Sequence, residues 1–533
     1  MMSGALAEVL DSPGPYSEAD DDYAEVKTYL ASAKARKMRH SDLERELHAR
    51  GQELLRKLLQ GHLDSRAPGE ADGPVEGSDG VVRNEKREHS RQLESVFGRL
   101  EVKRTGYAKE GVASLHPLDA ELNLPAEVYS LEVRRRVAKE VAKVSFDEAI
   151  ETVASYTGAK VPKRQAEELV VRAAQDFDAF YQFDADEELA EPSETGPLLV
   201  ITVDGKGVVM HKEDLRPETR KKAERKRQRL RVFGKLHKGE KRNSKRMAAV
   251  AAVYTVAPYV RTPEQFLRSL ARLQPPTKKA AKAELAARPR PENKRVWASV
   301  EKDSRSTIEQ AFLEAGRRDL MQSKTWLAVV DGDETQLAQL EEVAEALEYK
   351  ILIILDIIHV VQYLWKAGHA FHEEETPELE YWVLSQLRSV LEGKARKVAS
   401  AIRRSATIQK LDTSSREPVD RCANYLRKNA AHMRYDEYLA AGYPIASGVI
   451  EGACRHLIAD RMELTGARWR LASAEAVLRL RALRSSGDFD RYWVFHEARE
   501  YQRNHAERYA DGKIPPTVSP EPPEELPPLR RVK

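Results

Sequence analysis

The sequence predicts an α/β protein: a mixed sheet interrupted by a helical insertion and preceded by a mostly helical N-terminal region. Three observations predict it. The apolar runs 198–203 and 326–330 each end in Asp-Gly, and a third run, 351–355, ends in Asp356. Helical patterns at 306–313 and 335–347 fall between them, so that strands alternate with helices. From 373 to 440 the periodicity is helical with no clear strand, which makes that stretch an insertion.

The elements follow in order. Residues 1–40 read as a partly disordered N-terminus. Residues 41–128 hold a helix and a small hairpin unit: Ser41 and Glu44 form a capping box, and Leu43, Leu47, Leu54, Leu55, Leu58, Leu59 and Leu63 recur at helical spacing. Turn chemistry fills 66–82, and alternation between 81 and 107 suggests the hairpin. Residues 129–190 form a helical, helix-turn-helix-like region. Ser145 opens one helix, Thr157-Gly158 breaks it, and Pro162 opens another with Lys163 and Arg164 at its head. Ordinary helical hairpins share that pattern. The sheet domain occupies 197–372, with a strand at 198–203, a hairpin return at 207–211 and a third strand at 247–256. The insertion covers 373–445, C-terminal helices of the sheet domain 446–510, and a proline-rich disordered tail 511–533.

At 533 residues with 41% hydrophobic side chains, the chain has room for roughly three or four domains and a sizeable core. No run of eighteen apolar residues exists and the acidic N-terminus lacks a signal core, so a cytoplasmic protein without a membrane span is expected. Cys422 and Cys454 have no CxxC partner and read as buried thiols. The net charge of +3 conceals an uneven spread: 216–246 carries fifteen Lys/Arg against three Glu. Such a segment suits a polyanion, and Arg225, Lys226, Arg227, Arg229, Lys241 and Arg242 are its candidate DNA contacts.

Asp204, Asp331 and Glu451 are the candidate catalytic residues. Glu451 sits just inside a helix that opens after Ser447-Gly448, and convergence of three chain-distant carboxylates requires a cation. Magnesium, with manganese able to substitute, favours oxygen ligands, and a pair of such ions serves phosphodiester chemistry. Asp-Gly is equally a common loop dipeptide. The gaps of 127 and 120 residues between the acids leave space for the basic segment and the helical stretch, and the strand order fits a ribonuclease-H-like mixed sheet catalytic domain. Asp356 and His359 stand three residues apart at a helix start. Asp356 is a cap or a rival to Asp331 as second metal ligand, Asp331 being preferred; His359 is a packing residue or sits beside the scissile phosphate. Trp365, further along, is a supporting residue with Asp356. His369 and His372 have no partners for a zinc site. Glu451, Arg455, Ile458 and Met462 share a helical face on which Arg455 would grip a phosphate. Arg461, Arg468, Trp469 and Arg470 suit either a nucleic-acid surface or a packed helix end.

These residues resemble a known family. The segments 447–457, 460–463 and 465–469 are similar to the C-terminal signature of the ISKra family of bacterial insertion-sequence transposases. The segments 202–207, 330–332, 355–360 and 363–367 match it too, as do Phe97-Gly98-Arg99-Leu100 and 116–125. Coverage runs from about Ser41 to Tyr509. The resemblance implies a DDE transposase: a ribonuclease-H-like domain that uses two magnesium ions to cleave DNA at an element end, whose freed 3′-hydroxyl attacks target DNA. It assigns Asp204, Asp331 and Glu451 as the three acids, and Asp356 with His359 as the Asp-x-x-His of Mutator-like relatives. It further implies element-end and target DNA as partners, self-association on DNA, and a bacterial, nucleoid-associated location. Ala459 departs from the family, whose residue there is usually basic, and so would lack one phosphate contact. The alternatives are a ribonuclease-H-like nuclease without strand transfer, or a domesticated, inactive DNA-binding protein.

Overall fold

A computed structural model of the chain describes residues 14–188, 195–233, 244–271 and 288–518. The chain divides into two compact units, Met1–Phe180 together with Phe489–Lys533, and Tyr181–Asp488.

The first unit mixes helix and sheet, where the sequence suggests mostly helix. Helix α1 (Ser17–Ala31) lies within the stretch expected to be partly disordered, and it packs against α2 (His40–Ser65). Because α2 opens at His40, Ser41 is inside the helix and the expected capping box does not form; the N-cap Arg39 makes no side-chain cap bond. Two short strands, β1 (Val75–Glu76) and β2 (Val82–Arg83), pair within the segment read as loop. The hairpin is β3 (Glu85–Ser95) with β4 (Gly98–Lys109), and β5 (Val112–Leu115) completes a three-stranded sheet. Gln60 fastens α2 to that sheet: its side chain donates to the Glu101 carbonyl at 3.0 Å and accepts from the Glu101 N–H at 2.9 Å.

Helices α3 (Leu131–Val141), α4 (Phe146–Tyr156) and α5 (Lys163–Ala173) bury Val133, Val137, Ala149, Val153, Leu169 and Val170 at helical spacing. Ser145 and Glu148 form a capping box at the start of α4. The late helix Phe489–Asn504 belongs to this unit, although the sequence grouping joined 446–510 to the sheet domain. Arg134, fully buried on α3, explains the attachment. It donates to Glu500 at 2.7 Å and to His496 Nε2 at 3.0 Å, and also pairs with Glu127. Of the tail expected to be disordered, 511–518 is described, and the Val518 N–H donates to the Glu70 carbonyl.

The second unit holds a five-stranded mixed sheet of order β10-β9-β6-β7-β8. Strands β6 (Leu198–Val209), β7 (Lys245–Val256) and β8 (Glu292–Ser299) form an antiparallel meander, while β9 (Thr325–Val330) and β10 (Leu352–Leu355) run parallel to β6. This corrects the sequence reading twice. There is no hairpin return at 207–211, because Gly205 and Gly207 take no positive φ and β6 runs straight through them. The third strand of the meander is instead β8, whose charged first half (Glu292, Lys294, Arg295) hides an apolar buried end.

Helix α6 (Ser304–Arg318) packs on β6 and β7, and α7 (Glu334–Ala346) joins β9 to β10. Arg295 clamps Glu314 between α6 and β8; burial pushes the Glu314 carboxyl up, but Arg295 and Arg318 together hold it at about 2. Helix α8 (Ile357–Gly368) leaves the end of β10. The insertion is four helices, α9 (Pro377–Leu391), α10 (Ala395–Ile408), α11 (Thr413–Lys428) and α12 (Tyr435–Ala440). It reaches back to the strand ends: the Tyr425 hydroxyl donates to the Asp331 carbonyl at 2.8 Å and the Tyr435 hydroxyl to the Leu355 carbonyl at 2.9 Å. Beyond it come α13 (Gly448–Ala453) and α14 (Leu471–Ser486). Among the described residues, no helix is long and apolar enough to cross a membrane.

Candidate active site

Strand register brings three of the expected acids to one level. Ile201 pairs with Ala328 and Ala328 with Ile353, across the parallel strands β6, β9 and β10. Asp204, Asp331 and Asp356 each stand three residues beyond that row, and the Asp356 N–H continues the ladder to the Val330 carbonyl at 2.7 Å. Asp204 is not at a strand end, as the sequence suggests, but midway along β6, opposite Val250 of β7. The pairing of β9 with β6 stops at Ile201, so the row opens beside Asp204.

Each carboxylate is held differently. Asp204 Oδ1 accepts from the Gly205 N–H at 2.6 Å, and Oδ2 accepts from the buried Cys454 thiol at 3.3 Å. Asp331 Oδ1 accepts from the Asp333 N–H at 3.0 Å. The turn behind it depends on Gly332, whose φ is +87°; a Cβ there would meet Leu355 Cδ2 at 3.0 Å and the Tyr425 hydroxyl at 3.2 Å. Burial pushes the Asp331 carboxyl above its ordinary value, Asp204 adds to that, and the Asp333 amide and His359 oppose it.

Asp356 is buried and fully occupied: Oδ1 caps α8 through the Ile358 N–H at 2.7 Å, while Oδ2 accepts from the Ser447 N–H at 3.1 Å and from its hydroxyl. This is the cap role, and it also fixes the turn from which α13 starts. His359 Nδ1 lies 3.9 Å from Asp356 Oδ2 without a hydrogen bond among the described residues. Trp365 is half-buried further along α8, 6.2 Å from the His369 ring.

Glu451 is exposed on α13, one helical turn before the thiol that touches Asp204, and its charge helps burial and Asp204 to push that thiol up. After α13 the helix continues as a π-helical turn, Cys454–Ala459. The wider turn breaks the expected stripe. Glu451 and Arg455 face solvent, with the Arg455 side chain 80% exposed and 3.7 Å from Asp460, whereas Ile458 and Met462 are buried. Such turns are concentrated at functional sites.

Among the described residues, the one group of three acid or histidine donor atoms lying within 4.8 Å of one another is Asp176, His496 and Glu500, in the first unit. Asp204, Asp331 and Glu451 stand further apart than that. The first-unit group is already saturated: Arg503 donates to Asp176 and Glu500, Arg134 to Glu500 and His496 Nε2, and His496 Nδ1 faces Asp176 Oδ2 at 2.7 Å. Two guanidiniums there supply the positive charge a metal would bring, so it serves packing.

The expected DNA contacts are spread over both units. Lys163 and Arg164 are exposed at the head of α5, where Lys163 pairs with Asp147 at 2.6 Å and Arg164 with Glu168 at 3.5 Å. Arg225 is exposed on the helix Pro217–Phe233; Lys226, Arg227 and Arg229 continue that helix, their side chains outside the description, and Lys241 and Arg242 lie outside the described residues. Arg468 is exposed, but its neighbour Trp469 is a buried latch. The Trp469 N–H donates to the Val209 carbonyl at 3.0 Å and its indole to the Met462 carbonyl at 3.1 Å, with Arg461 over the ring. Sequence reasoning missed Ser447, Tyr425 and Cys454. Only Cys454 carried a signal, lying three residues after Glu451 on one helical face. No protein-family model matches the chain, and no curated protein is a significant match to it.

Proposed function

We propose that this chain is a DDE transposase of the ISKra type, performing magnesium-dependent DNA strand cleavage and strand transfer for an insertion sequence on a ribonuclease-H-like domain. The observation that carries the reading is the level row Asp204, Asp331 and Asp356 on adjacent parallel strands, with the Glu451 helix bonded to two of them through Cys454 and Ser447. The order of an antiparallel meander followed by two parallel strands supports the fold assignment, and the motif resemblance supports the family.

The donor set is all carboxylate oxygen, and Asp331 is crowded by burial and by Asp204, which fits a hard divalent cation. Asp204, Asp331 and Glu451 would hold magnesium, or manganese in its place; when bound, the metal supplies charge stabilisation at a phosphodiester and a more acidic water or hydroxyl. The chain's own residues do the placing. Strands β6 and β9 fix two acids, Gly332 and Tyr425 set the height of the second, and Asp356 anchors the start of the third acid's helix through Ser447. Exposed Glu451 sits on α13, which runs into the π-helical turn Cys454–Ala459; on this reading the helix closes toward the other two acids when DNA binds. On this reading His359, half-exposed beside Asp356, would meet a phosphate oxygen. Arg225 and the basic residues after it supply affinity for DNA independent of sequence.

The test incubates the protein with magnesium and element-end DNA and follows cleaved and joined strands. Cleavage and joining should both appear, and Asp204→Asn and Glu451→Gln should each abolish them. Products undiminished in either variant would refute the assignment, and cleavage without joining would reduce it to a nuclease.

A further inference from the structure

Beside α13 lies a cavity of about 560 Å³, within the range of small-molecule sites. Its wall is strongly one-sided in charge. Arg261, Arg288, Arg290, Lys294 and His456 line it, and among the described residues no acidic one does. Like charges packed this way repel one another unless an anion is present. Arg261 sharpens the point: its Nε is buried without a hydrogen-bond partner among the described residues, and burial together with neighbouring Arg288 pushes its guanidinium down. An unpaired buried donor in a cationic wall is the mark of a missing acceptor.

The remaining wall is apolar. Tyr254 and Tyr259 contribute aromatic surface beside Pro289, Pro291 and Pro444. Gly448 and Gly452, on α13, keep the floor open; a Cβ at Gly448 would meet nothing within 4 Å. A cluster of cations would suit any phosphate, but a cation cluster joined to an aromatic slot of this volume suits a phosphate carrying a ring.

We infer that this cavity receives a single unpaired nucleotide of a DNA strand, its phosphate on Arg261, Arg288 and Lys294 and its base against the tyrosine wall. The inference rests on the DNA reading above and deepens it. Glu451 stands on the same short helix whose Gly448 and Gly452 floor the cavity, so a nucleotide seated there would hold an adjacent phosphate near the acids. Base stacking of this kind gives a preference of about tenfold over a paired strand.

The experiment measures binding in EDTA, where no strand is cut, by fluorescence anisotropy of a labelled duplex with one unpaired adenine and of the same duplex fully paired. The wild-type chain should prefer the unpaired probe by about tenfold. Arg261→Ala, and separately the pair Arg288→Glu with Lys294→Glu, should erase the preference, with thermal unfolding confirming that each variant folds. Free deoxyadenosine monophosphate should compete and inorganic phosphate should not. Equal affinity for the two probes, or a preference that survives both variants, overturns the inference. So does equal competition by inorganic phosphate, which would make this a simple anion site, and tight binding of the free nucleotide with no preference between duplexes, which would make it a mononucleotide site. Asp204→Asn should leave the preference intact. Cleavage of element-end DNA without any preference would sink the pocket and spare the transposase; a preference without cleavage would do the reverse.

Discussion

Asp204 and Asp331 lie level on neighbouring parallel strands, each three residues beyond the pair Ile201 and Ala328. Two half-buried carboxylates at one height repel, and burial and then Asp204 raise the Asp331 carboxyl. For an acid whose folded value is raised, the ionised form weakens the fold. That contribution is favourable below the ordinary value of 3.8 and is lost as pH rises through the folded value.

Asp331→Asn should therefore leave the protein as stable as the parent at pH 7, or more so, while abolishing strand cleavage. Magnesium at 100 times its dissociation constant adds about 2.7 kcal/mol to a protein that binds it only when folded. Thermal unfolding of the parent should accordingly rise by several degrees with magnesium, and that of Asp331→Asn should not. A parent curve indifferent to magnesium and manganese would count against Asp331 as a ligand.

Asp356 shares the row but should behave in the opposite way. Its two oxygens serve α8 and Ser447, so Asp356→Asn turns an amide N–H toward a donor and should cost about 1–3 kcal/mol. Ser447→Ala removes one of those bonds and should cost about 1 kcal/mol, lowering activity severalfold by loosening the start of the Glu451 helix. Denaturant midpoints of the two variants decide the point; an Asp356→Asn protein of parental stability would return Asp356 to candidacy as the second ligand.

What the sequence made legible follows from range. The acids at 204 and 331 were readable because apolar strands flank them locally, and the insertion because its periodicity is local too. The hairpin return at 207–211 was misread since Gly205-Lys206-Gly207 is compatible with either turn or strand, and only pairing with β7 across a 35-residue gap decides for strand. β8 escaped because its buried half is four residues long. Cys454 shares a helical face with Glu451, but its bond to Asp204 joins residues 250 apart and leaves no local trace, nor does the π-helical turn that redirects Arg455.

Gly332 and Gly205 follow the two acids but should tolerate alanine differently. Gly332 has φ of +87° with Leu355 and the Tyr425 hydroxyl crowding its missing side chain, so Gly332→Ala should cost about 1–3 kcal/mol and displace Asp331. Gly205 is extended, and a Cβ there meets the flexible end of Met247 at 3.2 Å and the Ala248 carbonyl at an ordinary 3.9 Å. Gly205→Ala should change stability by less than about 1 kcal/mol. Urea titrations should rank them so, and equal midpoints would show that the turn after Asp331 is not held as tightly as its surroundings indicate.

The first unit should weaken in mild acid, through two of its buried histidines. His505 is buried, its Nε2 against the Leu124 carbonyl at 3.0 Å, and burial lowers its value from 6.5 to about 4. His116 is lowered likewise, to about 3, by burial and then by Arg104. Between 6.5 and these folded values the unfolded chain binds protons that the folded chain refuses, so stability rises with pH in that window. It is fully present above about 6.5 and is lost as pH falls toward the folded values. The urea midpoint of the transition involving this unit should be lower at pH 5 than at pH 7, by tryptophan fluorescence from Trp493. His505→Gln, which keeps a donor for Leu124 but cannot titrate, should flatten part of the slope; an unchanged slope in that variant would mean that His505 is not among the groups that set it.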